Sequence, residues 1–139
     1  MDDKTLGHIW TEISLGNPRE SEIEALAVKA LADTGASMLC IPEHIAIQLG
    51  LDFEITREVN LADGLSKEVP YVGPIRVTFN NRCCYVGAFV LGDEVLLGSI
   101  PMEDMDLVLN PSRQEITVNP ASPNIPNSRV KKYGVRKAA

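Results

Sequence analysis

Ala30-Leu31-Ala32-Asp33-Thr34-Gly35-Ala36-Ser37 is the stretch on which the reading of this chain turns. Small and apolar residues from Ala25 to Ala32 suit a buried strand that delivers Asp33 directly onto a turn. Gly35 lets that turn bring its backbone amide to the carboxylate with no Cβ in the way. Asp-Thr-Gly alone is a weak tripeptide, but a second apolar pair closed by glycine, Leu96-Leu97-Gly98, stands downstream at a distance that suits a supporting element.

Outward from this stretch, the chain alternates between short apolar runs and turn residues. Gly7 to Leu15 reads as a strand ending in the turn Gly16-Asn17-Pro18, and Glu20 to Glu24 is a solvated acidic connection. Pro42 suits the first turn of a short helix that leaves at Gly50, with Ile41, Ile45 and Leu49 on one face as core. Val59 to Ala62 and Lys67 to Val72 read as a hairpin turning at Asp63-Gly64. Ile75, Val77 and Phe79 mark a half-buried strand, and Asn80-Asn81 a turn. Cys83 to Leu91 returns as a strand, and Val95 to Leu97 follows another turn. Ser99 is expected to cap a helix over Ile100 to Met105, with Pro101 in its first turn, before strands at Leu107 to Leu109 and Glu115 to Val118. Many short strands at this spacing indicate an all-β barrel or sandwich with two accessory helices.

At 139 residues the chain fits one domain, expected over 1–120. Residues 121–139 read as a Pro- and Asn-rich, then basic, tail that is expected to be flexible. Arg129, Lys131, Lys132, Arg136 and Lys137 fall in the last eleven residues, so of the net −6 the preceding 128 residues carry −11. An acidic body argues against nucleic acid as the main partner. No apolar run approaches the ~20 residues that span a bilayer. Met1-Asp2-Asp3-Lys4 has no apolar segment behind it, so a secretory signal is not expected. Cys40, Cys83 and Cys84 lack disulfide or zinc spacing, which points to a reducing, cytoplasmic setting. With two histidines only, no metal or other cofactor is expected.

The chemistry suggested by Asp33 needs a second carboxylate. Two carboxyls held close together share one proton, because both cannot ionise cheaply there. The ionised one takes a proton from a water held between them, and the protonated one hydrogen-bonds to a peptide carbonyl as the water attacks. Leu61-Ala62-Asp63-Gly64 echoes Leu31-Ala32-Asp33-Thr34, but it falls in the hairpin turn, and 139 residues cannot supply two lobes. A C2 homodimer supplies a second Asp33 instead.

In its order of elements the chain resembles the single-domain, retroviral-type aspartic peptidases (retropepsins) and their bacterial cellular relatives. The resemblance runs from about Ile9 to Asn110, through Asp33-Thr34-Gly35-Ala36, the hairpin at Ala62-Asp63-Gly64-Leu65, Leu96-Leu97-Gly98, a helix and Leu107-Val108-Leu109-Asn110. It implies an all-β closed barrel with a flap hairpin and one or two short helices, and a groove across a dimer axis for an extended peptide or protein substrate. By the resemblance, Asp33 of each subunit activates water, Thr34 braces the two loops and Gly35 receives the substrate backbone. Ala36 and the Ala62, Asp63, Gly64 and Leu65 flap would contact substrate, and Leu97 and Gly98 would back the catalytic loop. Two departures stand out. Ser37 and Ser99 occupy the positions of an Asp–Arg ion pair usual in the retroviral enzymes, and the flap holds a single glycine, Gly64. The alternative expectation is a dimeric peptide-binding module on the same scaffold that does not cleave.

Overall fold

The computed structural model describes residues 8–130. The basic residues Lys131, Lys132, Arg136 and Lys137 of the expected tail lie outside the described residues. Nine strands and two short helices follow in the order β1 (Ile9–Gly16), β2 (Leu26–Ala32), β3 (Leu39–Ile41), α1 (Glu43–Gln48), β4 (Ile55–Asn60), β5 (Ser66–Phe79), β6 (Arg82–Val90), β7 (Val95–Leu97), α2 (Ser99–Asp104), β8 (Leu107–Asn110) and β9 (Glu115–Val118).

Seven strands form one sheet in the order β1-β2-β7-β3-β6-β5-β4, and an additional β1–β5 pairing bends six of them into a closed barrel. Closure leaves these six strands no free edge within the ring. β5 makes it possible by its length of 14 residues. Its second half pairs with β6 and, at Arg76 to Thr78, with β1, while its first half extends outward and pairs with β4 as a hairpin. Two separate strands were expected here. The chain instead runs through Gly73-Pro74 with a register shift between Val72 and Ile75, and Gly73 at φ 151° supplies the irregularity. β4 also begins earlier than expected, at Ile55, and ends before the turn at Asn60.

The barrel interior follows from strand alternation. Ile9, Ile13 and Leu15 of β1, Ala30 and Ala32 of β2, Ile75 and Val77 of β5, and Leu97 of β7 are all buried in one core cluster. Burial of each large aliphatic side chain stabilises by about 1.5–3 kcal/mol relative to exposure. α1 closes one side: Ile45, Ala46 and Leu49 are buried, as the four-residue spacing of Ile41, Ile45 and Leu49 indicates. Pro42 is its N-cap rather than its first helical residue. Cys83 is exposed and Cys84 buried, as strand alternation requires of adjacent residues.

β8 and β9 form a separate two-stranded sheet. Beyond β9 the Pro- and Asn-rich segment is tied to the body through Asp106. Its carboxylate accepts hydrogen bonds from the Asn119 side chain at 3.0 Å, the Ser122 hydroxyl at 2.5 Å and the Asn127 amide at 2.9 Å. Arg82, only 1% exposed, donates to the Ser122 carbonyl and lies 4.0 Å from Asp106. Among the described residues, no helix is long and apolar enough to cross a membrane.

Candidate active site

Asp33 emerges at the end of β2 because the strand's pairing stops there. Ala32 is aligned with Leu97 of the parallel neighbour β7, and the Asp33 amide donates to the Leu97 carbonyl at 2.9 Å. The chain then turns: Ala36 N–H reaches the Asp33 carbonyl at 3.1 Å, and Gly35 N–H donates to Asp33 Oδ1 at 2.9 Å. A Cβ at position 35 would lie 3.2 Å from that oxygen, tighter than ordinary contact, so glycine suits the close approach of amide and carboxylate.

The next layer fixes the loop. Ser99 N–H donates to the Ala36 carbonyl and Ile100 N–H to the Ser37 carbonyl, each at 2.9 Å. These are amides of the first turn of α2, which a helix cannot satisfy internally. Their partners here are loop carbonyls, and this explains a departure from expectation: Gly98, not Ser99, is the N-cap, and no side chain caps the helix. Gly98 itself is buried against the loop. A Cβ there would meet the carbonyl oxygens of Met38 and Ala36, the latter at 2.7 Å.

Above the loop lies a cleft of about 470 Å³. Asp33, Gly35, Ala36 and Ser37 line one side, and Glu58 to Ala62, from the end of β4 into the hairpin turn, line the other. Its apolar wall has a simple origin. Cys40 is aligned with Phe89 of β6 and with Leu96 of β7, so three neighbouring strands present one row of side chains, and all three residues line the cleft. Burial, and secondarily the charge of Asp33, push the Cys40 thiol above its ordinary value, so it remains a neutral wall residue.

Of the residues expected at the site, Asp33, Gly35, Ala36 and Ala62 meet around this cleft. Thr34 is exposed at the outside of the turn. Asp63, Gly64 and Leu65 form the hairpin tip and do not line the cleft. Asp63 accepts the Leu65 amide at 2.9 Å and Gly64 takes φ +89°, so Asp63 is a turn residue, as expected. Leu97 is fully buried and Gly98 lies behind the loop; both support the Asp33 turn from the core side. Sequence reasoning did not single out Glu58, Met38, Cys40, Phe89 or Leu96 as cleft residues. Met38 and Cys40 follow the motif closely enough to have drawn notice; Glu58 and Phe89 become neighbours only through strand register.

No protein-family model matches this chain, and no curated protein matches it significantly.

Proposed function

We propose that the protein is a homodimeric aspartic endopeptidase of the retropepsin type. It hydrolyses peptide bonds with a water activated by two Asp33 carboxylates, one from each subunit. The observation that carries this reading is the seating of Asp33: a half-exposed carboxylate on the floor of a peptide-sized cleft, held by the Gly35 amide at 2.9 Å and backed by Gly98. The hairpin of β4 and β5 spans the opposite side, where a flap would cover an extended substrate paired through its backbone. A single chain brings one such aspartate to the cleft, and the exposed Thr34 beside it is where a two-fold mate would make contact.

In the proposed step the two Asp33 carboxyls hold one proton between them. The ionised carboxylate accepts a proton from the bound water as its oxygen attacks the peptide carbonyl carbon, and the protonated carboxyl donates to the carbonyl oxygen. The tetrahedral adduct collapses when a proton reaches the leaving nitrogen, which restores the shared-proton pair.

The test is cleavage of a diverse peptide library from about pH 4 to about pH 7, with Asp33→Asn as control and rate followed against protein concentration. Cleavage that disappears in Asp33→Asn and rises faster than linearly at low concentration is the expected result. A folded dimer that binds peptides and cleaves none would instead make the protein a peptide-binding module.

A further inference from the structure

Tyr71 is the one residue of β5 that the register aligns with β4 and β6 at once, with Ile55 on one side and Phe89 on the other. Outward of it β5 pairs with β4 alone; from Val72 onward it pairs with strands of the barrel. Among the described residues β4 ends the sheet and has β5 as its sole strand neighbour. The β4–β5 hairpin therefore joins the barrel at Tyr71, directly before the register shift between Val72 and Ile75.

The side chain stands at the same junction. Aligned residues share a face of the sheet, so Tyr71 continues the apolar row of Leu96, Cys40 and Phe89 that walls the cleft. Its ring packs on Phe89 with centroids 5.7 Å apart, and the Arg57 guanidinium of β4 lies 3.9 Å from its centroid. Arg57 is aligned with Val69, two residues from Tyr71, which puts it on the same side of the hairpin. The far end of the ring lies over Gly87 of β6, where a Cβ would overlap the hydroxyl. One ring thus touches the cleft wall, the barrel and the strand whose end lines the cleft's opposite side.

Little else holds the hairpin in place. In β4 Val59 is half-buried and every other residue is exposed, and in the outer part of β5 only Val69 is buried. A strand pair packed by so few side chains opens at low cost.

We infer that Tyr71 is a positioning residue of the cleft: its ring ties the hairpin to Phe89, so that a peptide side chain packed on Phe89 favours the hairpin position in which Glu58 to Ala62 line the cleft. This inference rests on the reading of the cleft as a peptide-binding site. The ring contacts raise the share of molecules with the hairpin in place, and a bound peptide raises it further. Without the ring that share falls, and apparent affinity falls by the same factor. The Asp33 turn is held by the Gly35 amide and the start of α2, so Tyr71 acts on KM and leaves kcat in place.

The experiment reads the hairpin and peptide binding separately from turnover. Amide hydrogen exchange is followed on full-length Asp33→Asn protein and on its Tyr71→Leu, Tyr71→Phe, Arg57→Gln and Ile13→Val derivatives, with urea midpoints to show that each is folded. Ile13 is a core residue of β1, and Ile13→Val lowers overall stability without touching the hairpin. In Tyr71→Leu the amides of residues 56–69 are expected to exchange at least about fivefold faster. Tyr71→Phe keeps the ring and these rates, Arg57→Gln falls between, and Ile13→Val leaves the hairpin rates unchanged. Fluorescent peptides from the diverse library, selected for binding to Asp33→Asn protein, are then titrated by anisotropy. Tyr71→Leu is expected to weaken them at least about fivefold and Tyr71→Phe less than about twofold, and saturating peptide slows hairpin exchange. In the chain with Asp33 intact, Tyr71→Leu raises KM by the same factor with kcat within about twofold.

Hairpin amides that keep their rates in Tyr71→Leu, or that speed up as much in Ile13→Val, overturn the inference. So does faster hairpin exchange with unchanged peptide affinity, which would make Tyr71 a packing residue only. A fall in kcat at unchanged KM would place the effect on the hydrolytic step and overturn it as well. Library peptides bound by none of these proteins would remove the peptidase reading and this inference together. Tyr71-dependent binding by a chain that cleaves nothing with Asp33 intact would remove the peptidase reading and leave this one standing.

Discussion

A Cβ on residue 98 would sit 2.7 Å from the carbonyl oxygen of Ala36, so Gly98 and Ala36 touch backbone to backbone. The same helix start holds the Asp33 loop through the Ser99 and Ile100 amides. Gly98→Ala is therefore expected to push the loop away from α2 rather than be absorbed by a flexible side chain. The expected cost is about 2–3 kcal/mol of stability, read as a lowered urea midpoint at fixed protein concentration, with peptide cleavage lost. An unchanged midpoint would show that the loop yields freely.

Gly35→Ala separates positioning from stability. Here the added Cβ would lie 3.2 Å from Asp33 Oδ1, and the turn is exposed. The carboxylate can rotate away, so stability should change by less than about 1 kcal/mol. Rotation loses the aim of the carboxylate, and kcat is expected to fall at least about tenfold with little change in KM. A variant as active as the wild type would mean that the Gly35 amide does not aim the Asp33 carboxylate.

What the sequence disclosed follows from which constraints are local. The Asp33 turn and Gly98 were legible because a glycine marks each at a fixed position, Gly98 where a Cβ would meet backbone carbonyls and Gly35 where it would crowd the Asp33 carboxylate. The barrel strands were legible where alternation is clean, as in Ile75, Val77 and Phe79, all buried. β4 was misplaced because most of its residues are exposed on both faces, so burial writes no period into Ile55 to Asn60. Arg82 could not be found, since an arginine after an Asn-Asn turn reads as a solvated side chain. In the structure it is buried and donates to the Ser122 carbonyl, 40 positions away. The cleft wall depends on register across β6, β3 and β7, which connects residues up to 56 positions apart and is invisible to any local window.

The base of the β4–β5 hairpin depends on one glycine as well. A Cβ at Gly87 would run into the Tyr71 ring, 2.7 Å from its Cε1 atom. Tyr71 in turn packs against Phe89 at 5.7 Å between ring centroids and carries Arg57 of β4 on its face. Gly87→Ala should displace the ring and both contacts, at about 1–2 kcal/mol. In a Tyr71→Ala background the clash is gone, and Gly87→Ala should then be neutral within about 0.5 kcal/mol. A thermal-denaturation double-mutant cycle at one protein concentration measures the difference. Equal effects in both backgrounds would show that the ring does not depend on the space left by Gly87.

Asp106 makes stability depend on pH outside the candidate site. Its carboxyl is held down at about 2 from an ordinary 3.8, first by the Ser122 hydroxyl, then by the Asn119 side chain, the Asn127 amide and the Arg82 charge. A depressed carboxyl stabilises the fold only while ionised. Between these two values the unfolded chain binds more protons than the folded one, so stability rises with pH there. The contribution of Asp106 is complete above about 3.8 and is lost as pH falls toward and below about 2. Asp106→Asn retains an acceptor but cannot titrate, and it also loses the attraction to buried Arg82. It is expected to be less stable than wild type at neutral pH, with the gap closing as acid is added. Urea midpoints of both proteins at steps from about pH 5 to about pH 2 measure the gap. A gap that stays constant over that range would mean that the Asp106 carboxylate does not hold the segment from Asn119 to Asn127 through its charge.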